Sequence, residues 1–201
     1  MPDTGAPWNI PYVASTDLVS DWPADSLALA NAIDSGLDAA GGLVAVKHAI
    51  LTATQTENSV SAGASFAVDN LSITHTLADA SNKLIIHAYL GAAAEGGNTG
   101  RVGIAVLDGA TKIGVGAAAG SRSQVGAGGR VTASSDAEVV TMPSVTFVYE
   151  PGDTSSHTYT VHAVLIQSGT QNVYINRAPS DTDTTQRPRA ASAFVIQEVK
   201  V

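Results

Sequence analysis

Cysteine is absent from all 201 residues of this sequence. Its absence excludes a disulfide framework, thiolate metal ligands and a cysteine nucleophile. Long apolar runs are also missing, since no segment approaches the ~20 residues that a transmembrane helix needs. The start, Met1–Thr4, has neither the basic nor the apolar region of a signal peptide. We therefore expect a chain that is made in a cytoplasm, stays soluble and has no membrane partner.

Aromatic residues and clustered basic residues are scarce. Aromatics make up only 5% of the chain, so each buried side chain contributes little area and the core gains from association with other copies. The net charge is −8, and residues 1–46 contain six aspartates but no lysine, arginine or glutamate. This local acidity predicts no nucleic-acid partner and favours a basic protein facing the N-terminal segment.

Catalytic and cofactor motifs are missing as well. The glycine-rich run at 113–120 is followed by more glycine and serine rather than by a helix, so it indicates a loop and not a dinucleotide site. Asp136 and Glu138 share a strand face, but they lie where a surface loop meets a strand. No nucleophile elbow or Walker sequence occurs. We therefore predict that the protein is not an enzyme and holds no cofactor.

Two features allow a metal interpretation beside a simpler one. The carboxylates of Asp181 and Asp183 alternate as in some cation sites, but a turn paired with Arg187 or Arg189 explains them adequately. His75 lies on an apolar strand face, where it could bind an ion on a three-fold axis. We favour an interface histidine with its hydrogen bonds satisfied, and we predict no metal ligands.

The N-terminal segment, residues 1–42, is predicted to be an extended arm followed by one short helix. Prolines alternate with Trp8, Ile10 and Tyr12, which favours an extended path that needs a surface to lie on. Asp21 is a plausible helix cap, and the run stops at Gly41-Gly42. The helix stripe suits packing on the following domain or, as we prefer, a bundle of identical helices. The predicted anchor residues of this segment are Trp8, Ile10, Tyr12, Trp22, Leu29, Ile33 and Leu37.

From residue 43 to 201 the apolar period changes to two, which predicts an all-β domain. The segment 70–77 places Leu71, Ile73, His75 and Leu77 on one face, while 83–90 is apolar on both faces, as in a strand covered on both sides. Two packed sheets of jelly-roll type are expected, with 114–129 as a mobile or partner-bound loop. The predicted strands are 43–52, 70–77, 83–90, 101–108, 111–117, 137–149, 157–167, 171–176 and 191–200.

Two segments carry a resemblance to a known group of proteins. Residues 6–42, with Pro-Trp-x-x-Pro-Tyr before an alanine-rich helix, resemble the N-terminal attachment segment of tailed-bacteriophage fibre and minor tail proteins. Residues 172–201, with Tyr-x-Asn-Arg leading through an Asp-Thr loop to Ser-x-x-x-x-x-Glu-Val, resemble the end of phage surface jelly rolls similar to tumour-necrosis-factor or C1q heads. By this match, Tyr174, Asn176 and Arg177 belong to the terminal strands of the head.

The resemblance implies a structural protein of the virion, assembled in the host cytoplasm. It would be a homotrimer through its β heads and would bind other virion structural proteins of the tail or capsid through residues 1–42. A short tail or head fibre and a capsid decoration protein that stabilises the shell both remain open. A third alternative is a head that recognises a host surface receptor such as a glycan, with the loops at 114–129 and 178–190 as contact surfaces, although few aromatics are present for sugar stacking.

Overall fold

The computed structural model describes residues 27–33, 42–95, 100–130 and 139–201. The chain divides into two compact units, one of Met1–Leu43 with Lys200–Val201 and one of Val44–Val199. In the first unit, residues 27–33 form an α-helix within the segment where one was predicted. The chain therefore has the expected short helix ahead of a β domain.

Twelve strands are formed by the described residues, and the architecture is all-β apart from the helix. Most strands alternate buried and exposed side chains, as expected for sheets with one face on a core. The strands are β1 (Leu43–Leu51), β2 (Gln55–Ser61), β3 (Ser65–Thr76), β4 (Lys83–Tyr89), β5 (Ala92–Ala94), β6 (Arg101–Asp108), β7 (Thr111–Ile113), β8 (Ala127–Arg130), β9 (Ser144–Tyr149), β10 (Ser156–Leu165), β11 (Thr170–Ile175) and β12 (Ser192–Val199).

Three sheets are formed from these strands. A four-stranded sheet has the order β1-β12-β4-β9, and a five-stranded sheet has the order β3-β10-β6-β7 with β8 also paired to β6. A smaller sheet has the order β2-β11-β5. Antiparallel pairing joins β10 to β3 and β6, β4 to β12 and β9, and β11 to β2 and β5. Sequence neighbours are often not sheet neighbours, so the fold depends on contacts between distant parts of the chain.

One continuous apolar core is shared by the two larger sheets. The four-stranded sheet contributes residues such as Leu84, Ile86 and Phe194, which are all 0% exposed. The five-stranded sheet contributes inward residues such as Leu71 and Tyr159. Because both sheets bury one face in the same cluster, the arrangement is consistent with the predicted β-sandwich. The alternation predicted for 70–77 is confirmed, since Leu71, Ile73, His75 and Leu77 are buried and the residues between them are exposed.

Three strands were not predicted, namely β2, β5 and β8. β2 reads QTENSVS and lacks an apolar period, while β5 and β8 are built from alanine and glycine, which carry no period-two signal. The strand predicted at 137–149 is confirmed only for 144–149. Residues 139–143 form no strand beyond an isolated bridge of Thr141 to Ala92, and residues 137 and 138 lie outside the described part. Backbone pairing formed these strands without a pattern in the side chains.

The segment 114–126 is a loop, as predicted, whereas 127–129 belong to β8; a mobile or partner-bound role for the loop stays a prediction. Val115 and Val125 pack against a buried cluster on the outer side of β6 and β10, and the amide of Gly126 donates to the carbonyl of Ile104 at 2.9 Å. The turn that ends β7 is at Gly114, where φ is +61° and an added Cβ would lie 2.4 Å from the ring of Phe147. Glycine at this position therefore permits close packing.

Candidate interaction surface

The outer side of the four-stranded sheet is a contiguous apolar surface, which we call the apolar face. The register places Ile85 of β4 opposite Val148 of β9. It also places Val195 of β12 opposite His87, two positions after Ile85 on β4. On β1, Ala49 and Leu51 pack on the core. Because side chains alternate along a strand, Val44, Val46, His48 and Ile50 point to the opposite, outer side. The apolar face consists of Val44, Val46, Ile50, Ile85, Val148 and Val195 together with the interspersed His48, His87 and Tyr89.

Four aliphatic side chains of the apolar face are highly exposed. The exposed fractions are 44% for Val44, 50% for Val46, 58% for Ile50 and 60% for Val148. Single exposed aliphatic residues are normal on any protein, but a contiguous apolar patch on a sheet usually marks an interaction site. The side chains of this face extend from one edge strand of the sheet to the other, so the whole width of the sheet is available for contact.

Charge is nearly absent from the apolar face. Lys83, at the margin, forms an ion pair with Glu150 at 2.8 Å. The Nδ1 atom of His87 shares a hydrogen bond of 2.5 Å with the hydroxyl of Thr146, and its ring meets Tyr89 edge-on at 6.4 Å. A surface with so little charge fits another apolar surface better than it fits a strongly charged partner.

The outer side of β3 and β10 has the opposite character. Ser72 and Thr160 share a hydroxyl hydrogen bond of 3.2 Å, and Thr74 and Thr158 share one of 3.0 Å. These cross-strand pairs satisfy each other and leave a polar, solvent-facing surface. The remainder of this sheet, at β6, is covered by the 114–126 segment of the same chain. The five-stranded sheet therefore needs no partner to cover it.

His75 is not at an interface, so the sequence-based prediction for it was wrong. Its Nε2 atom lies 2.8 Å from the Glu198 carboxylate inside the sandwich, which joins β3 of one sheet to β12 of the other. Asn82 and the amide of Ala78 donate to the other oxygen of Glu198 at 2.6 and 2.8 Å. Burial raises the pKa of Glu198, but these hydrogen bonds outweigh burial and hold the pKa below its ordinary value.

A second polar cluster closes the end of the five-stranded sheet. His157 Nδ1 lies 2.8 Å from Asp108, and its Nε2 lies 3.1 Å from Asp153. Hydrogen bonds to Asp108 and then to Asp153 raise the pKa of His157. Burial, together with a hydrogen bond to Asp108, raises the pKa of Tyr149 to about 12. With both ring nitrogens of His157 occupied by carboxylates, this cluster links Asp108 at the end of β6 to Asp153 in the turn before β10.

The residues of the C-terminal motif form a structural corner. Asn176, at φ +59°, donates to the carbonyls of Leu51 and Ala53 at 2.7 and 2.9 Å and accepts from Ser192 at 2.6 Å. The guanidinium of Arg177 lies 4.3 Å from the centre of the Tyr174 ring. Tyr174 lies in β11, the last strand but one, as expected. Asn176 and Arg177 lie beyond the end of β11 at Ile175, so the expectation that these two belong to the terminal strands was wrong.

The predicted turn at 180–184 contains the expected ion pair. Asp181 lies 2.7 Å from Arg189, while Arg177 is 3.9 Å from the same carboxylate. Both Asp181 and Arg189 are largely exposed, so the pair contributes little to stability. No group of three or more acidic, histidine or cysteine residues suited to a metal ion occurs in the part of the chain that the structure describes.

Most of the predicted anchor residues, namely Trp8, Ile10, Tyr12, Trp22 and Leu37, lie outside the described ranges, as do Asp136 and Glu138. Of the remaining anchors, Leu29 is half-buried in the helix and Ile33 is 45% exposed. Leu27, which we did not predict as an anchor, is 62% exposed on the same helix. The anchor interpretation of Leu29, Ile33 and the others therefore stays a prediction.

The apolar face was missed as a site at the sequence level. The signal was present, because Leu43–Leu51 reads LVAVKHAIL and Lys83–Tyr89 reads KLIIHAY, both apolar on alternate and intervening positions. For 83–90 we expected cover on both sides within the fold. The second side is instead the apolar face, and it is open in the described part of this chain.

Comparison with known proteins adds no family assignment. Neither a scan against protein-family models nor a search of curated proteins found a match. Among the described residues, no helix has the length and apolar character needed to cross a bilayer. The inference about function therefore rests on the molecule itself and on the resemblance of its two end segments.

Proposed function

We propose that this chain is a non-enzymatic structural protein on the surface of a tailed-bacteriophage particle. The β domain is a jelly-roll head of the tumour-necrosis-factor or C1q type, and three copies associate through it. Residues 1–42 attach the trimer to a tail or capsid protein. The apolar face is the observation that carries this proposal, because it is an open, uncharged sheet surface on a domain whose other large sheet is covered by its own loop or by paired hydroxyls.

The occupant that best fits the apolar face is another copy of the same chain. Four strands spaced by about 4.8 Å and seven residues long cover roughly 400 Å², near the largest patch that a typical monomer exposes. A standard interface takes about 800 Å² from each partner, so this face supplies about half of what is needed. In a closed ring every copy contributes two surfaces, and the backbone edge of β1, which is an edge strand of the sheet, provides a second one beside the apolar face.

The strand pattern supports the same conclusion. A strand such as β4 is apolar on both sides, and its inner side already lies in the core through Leu84, Ile86 and Ala88. The charge on the margin is neutralised by the pair of Lys83 and Glu150. A basic or acidic partner would find no complementary group there, whereas another copy can bring apolar groups such as those of its edge strand β1 against this face.

The mass of the purified full chain in solution tests the trimer. Light scattering coupled to size exclusion should give three times the 20.3 kDa of one chain at micromolar concentration. A mass of one chain throughout that range would contradict the proposed assembly.

Attachment through the N-terminal arm is tested separately on particles. Trp8→Ala and Trp22→Ala should each weaken loading by about 2 kcal/mol or more, because aromatic anchors dominate such interfaces. Wild-type occupancy by the double variant would contradict the attachment role. The number of copies per particle separates a fibre, present in few copies, from a decoration protein, present in hundreds.

A further inference from the structure

The apolar face contains two histidines, His48 on β1 and His87 on β4, and both are exposed. His87 stands in register with Val195 on one side and with Thr146 on the other. Along its own strand, Ile85 and Tyr89 flank it on the same face. Both imidazoles therefore lie inside the surface that the proposed trimer would bury.

No charged group on this face is placed to neutralise either ring. On β1, Lys47 lies on the opposite side of the strand, where its ammonium donates to the carbonyl of Thr74 at 2.8 Å. On β4, Lys83 is paired with Glu150. The outward positions of the other two strands carry no ionisable side chain; they are Ala193, Val195, Gln197 and Val199 on β12 and Ser144, Thr146 and Val148 on β9.

Hydrogen bonds likewise provide no group that would stabilise a positive charge on either ring. The Nδ1 atom of His87 is occupied by Thr146, and within the described ranges neither its Nε2 atom nor the ring of His48 has a hydrogen-bond partner. A neutral imidazole can be buried in that state at modest cost. A protonated imidazole adds a donor and a charge, and burying an unpaired charge is strongly unfavourable. Histidine is the side chain whose charge changes between pH 5 and 8.

We propose that the assembly formed through the apolar face is released by mild acid, with protonation of His48 and His87 as the trigger. This inference rests on the proposed function, since it concerns the regulation of the same surface. In the neutral state the rings can be covered by a second copy. A covered ring that gains a proton must either lose it again or leave the interface.

Sedimentation velocity of the full chain at about pH 7.5 and about pH 5.5, at constant ionic strength, tests this proposal. The concentration at half assembly should rise at least about tenfold on acidification. The variant carrying His48→Gln and His87→Gln should assemble equally well at both pH values. His157→Gln, a control in the cluster with Asp108, should keep the wild-type pH dependence.

A second variant is measured only at neutral pH, so unfolding by acid cannot affect its result. His48→Lys combined with His87→Lys places a fixed charge at each site, so it should dissociate the assembly at about pH 7.5. Assembly of this variant at wild-type strength would overturn the proposal, as would an unchanged pH dependence in the double glutamine variant. A wild-type chain that is monomeric at every pH would overturn the proposed trimer itself, so the two failures are distinguishable.

Discussion

The two large sheets of the sandwich bury similar inner faces but present different outer faces. On β3 and β10, the outer residues are serine and threonine, and they are bonded in cross-strand pairs such as Thr74 with Thr158. On β1 and β9, the outer residues include Val46, Ile50 and Val148, each at least half exposed. The two sheets therefore differ in their outer side chains, since one outer side is polar and the other exposes a contiguous apolar surface.

The way each sheet is covered strengthens this contrast. Where the five-stranded sheet has apolar outer residues, as at Leu107 and Val164, the chain supplies its own cover through Val115 and Val125. The four-stranded sheet has a larger apolar outer side, and no described segment of its own domain lies over it. This open patch is the observation on which the proposed association rests.

The largest expected effect comes from removing the Glu198 carboxylate, which links the two large sheets through His75. Glu198→Ala leaves His75, Asn82 and the amide of Ala78 without their buried acceptor, so unfolding should become easier by about 3 kcal/mol. Chemical denaturation near neutral pH measures this loss. Glu198→Gln is the matched control and should lose less, because it keeps an acceptor oxygen. Equal losses in both variants would show that the negative charge of the carboxylate, rather than its packing or a single acceptor oxygen, carries the contribution.

The loss of folding stability at acidic pH provides a second test of the Glu198 contribution. The folded state lowers the pKa of Glu198, so its contribution is present above the ordinary glutamate value and is lost as the pH falls through the lowered one. The Glu198→Gln variant should therefore lose less stability than the wild type as the pH falls below about 4.5.

The next effect concerns assembly and compares the two outer faces directly. Val46→Asp together with Ile50→Asp places two charges on the apolar face and should abolish self-association at micromolar concentration. Thr76→Asp, an equally exposed change on the other sheet, should leave the mass in solution unchanged. Light scattering of both proteins checks the expectation. Loss of assembly in the threonine variant alone would reverse the assignment of the faces.

A smaller effect is expected at His157, which lies at the end of the five-stranded sheet. Hydrogen bonds to Asp108 and Asp153 raise its pKa, so its contribution to stability is full below the ordinary histidine value and is lost as the pH rises through the raised one. His157→Gln should therefore reduce thermal stability at about pH 6 and converge with the wild type at alkaline pH. Melting curves across this range decide the matter, and a difference that grows with pH would contradict it.

The smallest effect is expected on the polar face itself. Thr74→Val combined with Thr158→Val removes both hydroxyls of one exposed pair, so no donor or acceptor is left alone. The change in stability should be under about 0.5 kcal/mol by denaturation, since replacing both partners is nearly neutral. Self-association of this variant would show that an apolar outer side is sufficient for assembly on either sheet.

Much of the fold could be predicted because its signals are local. The alternation at Leu71, Ile73 and Leu77 predicted an inward face, and the helix at 27–33 lies where its period and its flanking glycines placed it. Strand β8 could not be predicted, because Ala127–Arg130 has no side chains that report a period. Its place is set by pairing with β6, which is a property of the assembled sheet.

The candidate surface was harder to predict than the fold. His75 looked like an interface residue because a histidine among aliphatic neighbours has no local partner, and its carboxylate is 123 positions away on β12. The residues of the apolar face looked like core because the sequence shows that a strand is apolar on both sides but not which side is covered. Only the register of β4 with β9 and β12 shows that Ile85 and Val148 share an open side.

The strand order has a consequence for folding during translation. β4 is hydrogen-bonded to β9 and β12, and both are encoded well downstream of it. During translation the apolar segment Lys83–Tyr89 therefore emerges without either neighbour, and its edge toward β12 stays unpaired while more than half of the domain is synthesised. Long-range pairing of this kind slows folding and exposes strand edges, so the nascent chain should depend on a chaperone at this stage more than the finished protein does.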